Sequence, residues 1–272
     1  MSWCPSGAFA RQRVVVKVCG LTKANRKAKK IIAVVLVALL VMGVAGWSLV
    51  KAKRIQINRF FIESNAVVGV DVSEHQADVD MGTLVDQDMQ FVYVKATEGS
   101  SHVDARFAEN WTHAHEAGLP VGAYHFFSFD SPGADQARGF IATVGELGEG
   151  DLIPVVDVEY YADKRDNPPD KAEVVRELRD FVDALEAEYG VKPMIYAGTD
   201  VYEAFIEGQF GDCPRWVPSV FYPVWFQVGD DWLVWQYTDK GRLEGLSGGE
   251  KYVDLNVVND SMGFDRLLVG RR

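Results

Sequence analysis

An α/β barrel preceded by one membrane-spanning helix is the architecture this sequence predicts. Three observations carry that reading. The first is a 20-residue uncharged stretch, residues 31–50, close to the N-terminus. The second is an alternation of continuous apolar, β-branched runs with amphipathic helical patterns from residue 67 onward, the signature of a parallel sheet covered by helices. The third is a set of acids that fall, one after another, where those apolar runs end.

The charge distribution divides the chain before any element is assigned. Residues 1–62 hold 12 of the 28 Lys and Arg and none of the 39 acids. That leaves 16 bases against 39 acids, a net charge of −23, in residues 63–272. A domain so acidic repels phosphate backbones, so nucleic acid is excluded as a partner. The stretch "IIAVVLVALLVMGVAGWSLV" would form a helix of about 30 Å, the thickness of a bilayer core. A signal-peptide core is shorter, about 7–15 residues. Arg11, Arg13, Lys17, Lys23, Arg26, Lys27, Lys29 and Lys30 precede it, and Lys51, Lys53, Arg54 and Arg59 follow. The heavier basic flank stays in the cytoplasm. The expected layout is a basic cytoplasmic tail (1–30), a membrane helix (31–50), a linker (51–65) and an extracytoplasmic domain (66–272). Cys4 and Cys19 then lie in a reducing compartment, and Cys213 has no partner for a disulfide within the outer domain.

The elements follow in order. "VVGVDVS" (67–73) is the first strand and "FVYVKATEG" (91–99) the second. Residues 104–118 place Phe107, Trp111, Ala114 and His115 at helical spacing, with Gly118 as terminator. "VGAYHFFS" (121–128) is the third strand, residues 133–147 read as a helix, and "LIPVVDVE" is the fourth strand. Over 170–190, Val174, Leu178, Phe181, Val182 and Leu185 line one helix face, and Gly190 closes it. "KPMIYAG" (192–198) is the fifth strand. Beyond residue 208 "RWVPSVF", "VWFQVG", "WLVWQYT" and "VDLNVV" read as strands with little helix between them. The prediction is an irregular TIM-like (β/α) barrel whose last third departs from the repeat.

Chemistry in such barrels sits at strand ends. Here those ends carry Asp71, Glu98, Tyr124 with His125, the pair Asp157 and Glu159, and Tyr196; Trp235, Gln236, Tyr237 and Asp254 come late. Residues two apart on a strand share a face, so Asp157 and Glu159 point the same way with backbones about 6–7 Å apart. Like charges so close resist ionising together. Acids beside aromatics suit a ligand with apolar faces and hydroxyl edges, such as a sugar. No Cys/His spacing suggests a metal, and no phosphate-cradling Gly loop or Ser-His-Asp order stands out, so no cofactor is expected. Carboxylate chemistry remains, and glycosidic hydrolysis is its common form.

The motifs "GVDVSEHQ" (69–76), "FVYVKATEG", "AGLPVGAYHFF" (117–127), "VVDVE" (155–159), "MIYAG" (194–198), "WQYT" (235–238) and "VDLN" (253–256) resemble, in order, the glycoside hydrolase family 25 lysozymes. The resemblance runs from about residue 67 to 268. It implies an irregular barrel with fewer helices than strands, and N-acetylmuramidase action on peptidoglycan glycan strands. Carried over by motif, it puts the acid/base on Glu159 and its partner on Asp157. Further catalytic acids fall on Asp71 and Asp254, and sugar contacts on Glu98, Tyr124, Tyr196 and Trp235. Ala77 departs from the family's usual Gly or Pro, and Met81, His102 and "RWVPSVFYP" (215–223) are further departures. A family 18 chitinase would need acids at positions held by Leu152 and Val155. The remaining alternative is a catalytically inactive wall-binding barrel, which the retention of all four acids argues against.

Overall fold

A computed structural model describes residues 21–51 and 56–270. The chain divides into two compact units that meet between Ala52 and Lys53. The first 20 residues, with Cys4, Cys19, Arg11, Arg13 and Lys17, lie outside the described residues, as do 52–55 of the expected linker.

The first unit contains one helix, α1, Leu21–Lys51. It begins ten residues before the uncharged stretch because Lys, Arg and Ala, which fill "NRKAKK", are good helix formers. Residues Arg26–Lys51 have a mean hydropathy of 2.6 in their most apolar window, none of it buried. That length and hydropathy suit a membrane span or a signal sequence.

The second unit is a closed barrel. Its strands are β1 (Val68–Val72), β2 (Phe91–Glu98), β3 (His102–Val103), β4 (Val121–Phe126), β5 (Val155–Asp157), β6 (Met194–Tyr196), β7 (Arg215–Pro218), β8 (Val234–Gly241) and β9 (Val253–Val258). The sheet order is β1-β9-β8-β7-β6-β5-β4-β2-β3, and β1 also pairs with β2. That last pairing closes the ring and leaves only the two-residue β3 hanging from its edge. Every closing pair is parallel except β8–β9 and β9–β1, so β9 alone of the eight ring strands runs backward. Helices α2 (Met81–Asp86), α3 (Phe107–Glu116), α4 (Gly133–Val144), α5 (Lys171–Tyr189), the one-turn α6 (Thr199–Val201) and α7 (Trp225–Val228) fill the connections. None lies between β8 and β9.

The predicted amphipathic helix is α5. Asp170 caps it by accepting from the Glu173 N–H at 3.0 Å, and Gly190 ends it at φ 69°. All five predicted core residues are buried. One expectation is corrected: "VWFQVG" is not a strand. Pro223 starts a turn, the Val228 N–H bonds back to the Val224 carbonyl at 3.1 Å, and Gly229 at φ 61° ends the turn as α7. The four residues of α7 are all outside the core, so no alternation pins them to a sheet.

Strand parity separates two cores. One set of side chains, including Phe91, Tyr93, Val155, Met194, Trp216 and Val234, fills the barrel interior. The other, including Val92, Val94, Val156, Ile195, Val217 and Trp235, packs outward under the helices. Phe91 needs the room left by Gly69, where an added Cβ would sit 2.5 Å from its ring. Gly122 gives the same room to Tyr93. His125 belongs to the outer set. It stacks on Phe181 at 4.7 Å and bonds Thr97 and Gln136. Burial there pulls its pKa down to about 4, so this strand-end residue faces away from the rim. The second half of the expected linker is also structured. Ile57–Phe61 forms a 3₁₀ turn, and the fully buried Asn58 donates to the Ser219 and Tyr237 carbonyls at 2.6 and 2.9 Å.

Candidate active site

A cleft of about 250 Å³ opens at the rim where the parallel strands end. Asp71, Asp157, Glu159 and Asp254 all line it, together with Tyr124 and Tyr196. Asp71 comes from β1 and Asp157 from the last position of β5. Asp254 comes from the start of β9, which reaches the same rim because that strand runs backward. Glu159 lies beyond β5, yet the chain stays extended. The Asp157 carbonyl accepts from the Phe127 N–H at 2.8 Å, and the Val158 N–H donates to the Tyr196 carbonyl at 2.9 Å. Val158 is fully buried on the outer face, which leaves Glu159 on the inner one with Asp157.

The acids form two differently built pairs. Asp71 and Asp254 face each other across the antiparallel β1–β9 ladder, where like charges destabilise one another. The Asn256 side-chain N–H donates to Asp71 Oδ2 at 2.7 Å, and the Trp216 indole N–H donates to Asn256 Oδ1 at 2.9 Å. An indole N–H only donates, so it fixes the amide's orientation and aims its NH₂ at Asp71. Burial raises the Asp71 pKa well above the carboxylate range, Asp254 adds to the rise, and the Asn256 bond opposes it. Asp157 and Glu159 instead share one strand. Burial, then Glu159 and Asp71, raise Asp157, and Lys95 opposes them. Its Oδ1 is buried with no hydrogen-bond partner among the described residues. Burial and then Asp200, from α6, raise Glu159, with Arg165 opposing. Such a cluster holds protons at pH values where isolated carboxylates have lost them.

The walls are aromatic. Tyr196 donates its hydroxyl to Gln236 Oε1 at 2.7 Å and meets the Trp216 ring edge-on at 5.4 Å. Burial and the surrounding acids push the Tyr124 and Tyr196 phenols up, keeping both as donors.

Two expected sugar contacts are not brought to this cleft. Trp235 is 1% exposed and donates its indole N–H to the Ser219 carbonyl at 2.9 Å. Its position on β8 is one residue off the inward parity of Val234 and Gln236, so it packs outside the barrel. Glu98 sits at the rim, and its ion pair with Lys95 at 2.7 Å is its link to the cleft. A bulge between Lys95 and Thr97 in the β2–β4 ladder shifts the strand's alternation and lets Glu98 reach Lys95 three residues before it. Lys95 and Trp216, which line the cleft, and Asn256 behind Asp71 were not singled out from the sequence. The signal for Lys95 is a lone cation inside an apolar strand. For Trp216 and Asn256 it is the parity of strands too short to show a period.

The sequence profile named Glycosyl hydrolases family 25 matches residues 70–246. The uncharacterized protein YegX of Escherichia coli K12 is 34% identical over 204 residues, covering 73% of this chain and 72% of that protein. Lysozyme M1 of Streptomyces globisporus is 30% identical over 214 residues, covering 73% and 70%. Among solved structures, a family 25 glycosyl hydrolase from Bacillus anthracis superposes with a TM-score of 0.68 at 43% identity, over 74% of this chain and 93% of that one.

Proposed function

The chain belongs to glycosyl hydrolase family 25, and from that premise we propose that it is a lysozyme hydrolysing the β-1,4 bond between N-acetylmuramic acid and N-acetylglucosamine in peptidoglycan. One observation carries the reading: four carboxylates from three strands and one strand extension converge on a single aromatic-walled cleft. A barrel that only bound glycan would have no use for so many acids held against their own repulsion.

Glu159 is the general acid. Its raised pKa keeps the proton until the glycosidic oxygen takes it. Asp157 leaves the same strand on the same face, so it is badly placed to attack the anomeric carbon from the opposite side of the ring. The substrate's own 2-acetamido oxygen fits that role, a known exception to the two-carboxylate scheme. The bare Asp157 Oδ1 accepts the acetamido N–H and stabilises the positive charge that develops on the group. Asp71 and Asp254 hold the ring by hydrogen bonds, with Tyr124 and Tyr196 beside them. Glu159 then deprotonates the incoming water, and the configuration is retained.

Release of reducing sugar from purified cell wall tests the activity, and NMR of the first-formed anomer tests the mechanism. An inverted product excludes acetamido assistance, and a trapped sugar ester on Asp71 or Asp254 shows a direct carboxylate nucleophile. We further propose that α1 remains as an anchor, N-terminus inside, with residues 66–272 on the outer face of the cytoplasmic membrane. The heavier basic flank before the span supports that orientation. Proteolysis of intact protoplasts should digest the barrel. Protection of it, or a mature protein starting near residue 47, overturns the placement.

A further inference from the structure

The barrel unit carries little exposed apolar surface, and what it has is concentrated. Among its described residues the exposed large apolar side chains are Val85, Val103 and six aromatics: Phe60, Phe61, Phe221, Tyr222, Trp225 and Phe226. The six come from two short segments that pack together. Phe61 meets Trp225 edge-on at 5.5 Å, and Asn58 ties the first segment to the Ser219 carbonyl at the start of the second. Phe60 and Phe226 stand furthest out, at 83% and 75% exposure. Residues 219–226, "SVFYPVWF", contain no charge, and the first segment adds only Arg59. An apolar patch this dense on an otherwise acidic domain marks a docking surface.

We propose that this aromatic face docks on the surface of the same lipid bilayer that holds α1. The argument rests on the anchor reading above and adds chain length to it. Ile57, which opens the docked turn, follows Lys51 by six residues. A chain spans at most ~3.3–3.6 Å per residue, so the turn stays within about 20 Å of the point where the anchor ends. A bilayer surface is therefore always within reach of Phe60 and Phe61, and of the partner loop they touch. Tyr and Trp rings with one polar tip are the side chains that settle at headgroup depth. The barrel's net negative charge would resist an anionic leaflet, so docking here works through aromatic burial and withstands salt.

Nitroxide labels on the full chain test this, with Cys4, Cys19 and Cys213 replaced by Ser, in vesicles of phosphatidylcholine and phosphatidylglycerol. Labels go one at a time at Phe226, at Phe60, at Glu188 on α5 as an aqueous reference, and at Val41 within the anchor. The readout is the ratio of collision with oxygen to collision with a water-soluble nickel chelate. The expected ratio at Phe226 and Phe60 is severalfold above that at Glu188, and unchanged in high salt. A high ratio at Val41 with a water-like ratio at Phe226 and Phe60 overturns the docking and leaves the anchor standing. A water-like ratio at Val41 overturns both. Dipolar broadening between labels on two chains at Phe226, without the oxygen preference, assigns the face to a second copy and also overturns the proposal.

Discussion

The two acid pairs of the cleft carry the same nominal charge and are built in opposite ways. Asp157 and Glu159 succeed each other along one strand of the parallel side. Asp71 and Asp254 face each other across the seam where β9 runs backward. The seam pair is supported by a relay from Trp216 through Asn256. Among the described residues the parallel-side pair has no such support: Asp157 Oδ1 has no hydrogen-bond partner there. Groups already satisfied by the protein suit holding a substrate. Groups left wanting a donor, or, like Glu159, keeping a proton through burial with no hydrogen bond to the described residues to hold it, suit acting on one. The comparison therefore assigns chemistry to the parallel side and grip to the seam, and the expected effects of substitution follow that division.

The largest effect belongs to Glu159→Gln. It keeps the shape and removes the transferable proton, so turnover should fall by about 10²–10⁴ while the melting temperature does not drop, since the amide removes a buried group whose ionisation burial opposes. A variant keeping more than about a tenth of the wild-type rate breaks the assignment. Asp157→Asn comes next, at about 10²–10³ in kcat. Its loss should appear in kcat and not in KM, since its charge acts on the transition state. Asp71→Asn should show the opposite split, a raised KM with the smaller change in kcat. If Asp71→Asn instead matches Asp157→Asn in kcat, the division between chemistry and grip is wrong.

The parallel side was more fully legible in the sequence than the seam, for a physical reason: Asp71, Asp254 and their strands could be named, but not the antiparallel pairing that sets the two acids face to face. Parallel strands buried on both faces read as continuous apolar runs, and amphipathic helices between them set the rhythm. Asp157 and Glu159 stand at the end of such a run and are conspicuous. Around the seam the strands are short or antiparallel and the helices drop out, so no period remains to tell inside from outside. Trp216 and Trp235 look equivalent in one dimension. Parity sends Trp216 into the cleft and Trp235 under the outer layer, and nothing local announces it. The bulge that turns Glu98 toward Lys95 is equally silent, since it exists only in the ladder with β4. α7 reads as a strand in the sequence because two aromatics stand among apolar neighbours, and only the turn geometry at Pro223 and Gly229 makes it helical.

Stability against pH sharpens the comparison further. Asp71 and Asp157 have folded-state pKa values above those of the unfolded chain. The folded protein therefore binds more protons than the unfolded one between the ordinary carboxylate range and the raised values. Stability falls as pH rises through that window. Asp71→Asn removes one such proton while its amide oxygen still accepts from Asn256. The variant should gain on the wild type as pH rises, by at most about 1.4 kcal/mol per pH unit. Melting of both proteins across that window measures it; parallel curves would mean that Asp71 ionises without resistance.

The smallest expected effect tests how firmly the seam-side wall is held. After β1 the chain forms the turn Glu74–Gln76, capped by Ser73, whose backbone N–H donates to Gln76 Oε1 at 2.9 Å. Ser73, His75 and Gln76 all line the cleft. Ala77 ends the turn at φ 56° and ψ −127°, a conformation that L side chains rarely adopt. The returning loop locks it there: the Gly248 N–H donates to the Gln76 carbonyl at 2.9 Å, and Ser247 bonds Asp78. Strain at such a residue costs about 1–3 kcal/mol. Glycine relieves it and gives back about 0.4–1 kcal/mol through a more flexible unfolded chain. Ala77→Gly should therefore stabilise the barrel by about 1 kcal/mol and leave KM unchanged, because the loop's own bonds keep His75 and Gln76 in place. Gly190→Ala is the counterpart on the parallel side. Its φ of 69° closes α5 with nothing within 4 Å of an added Cβ, so it should destabilise by about the same amount through backbone strain alone. If Ala77→Gly stabilises but raises KM, the strained turn itself, and not the loop packed on it, holds that wall of the cleft.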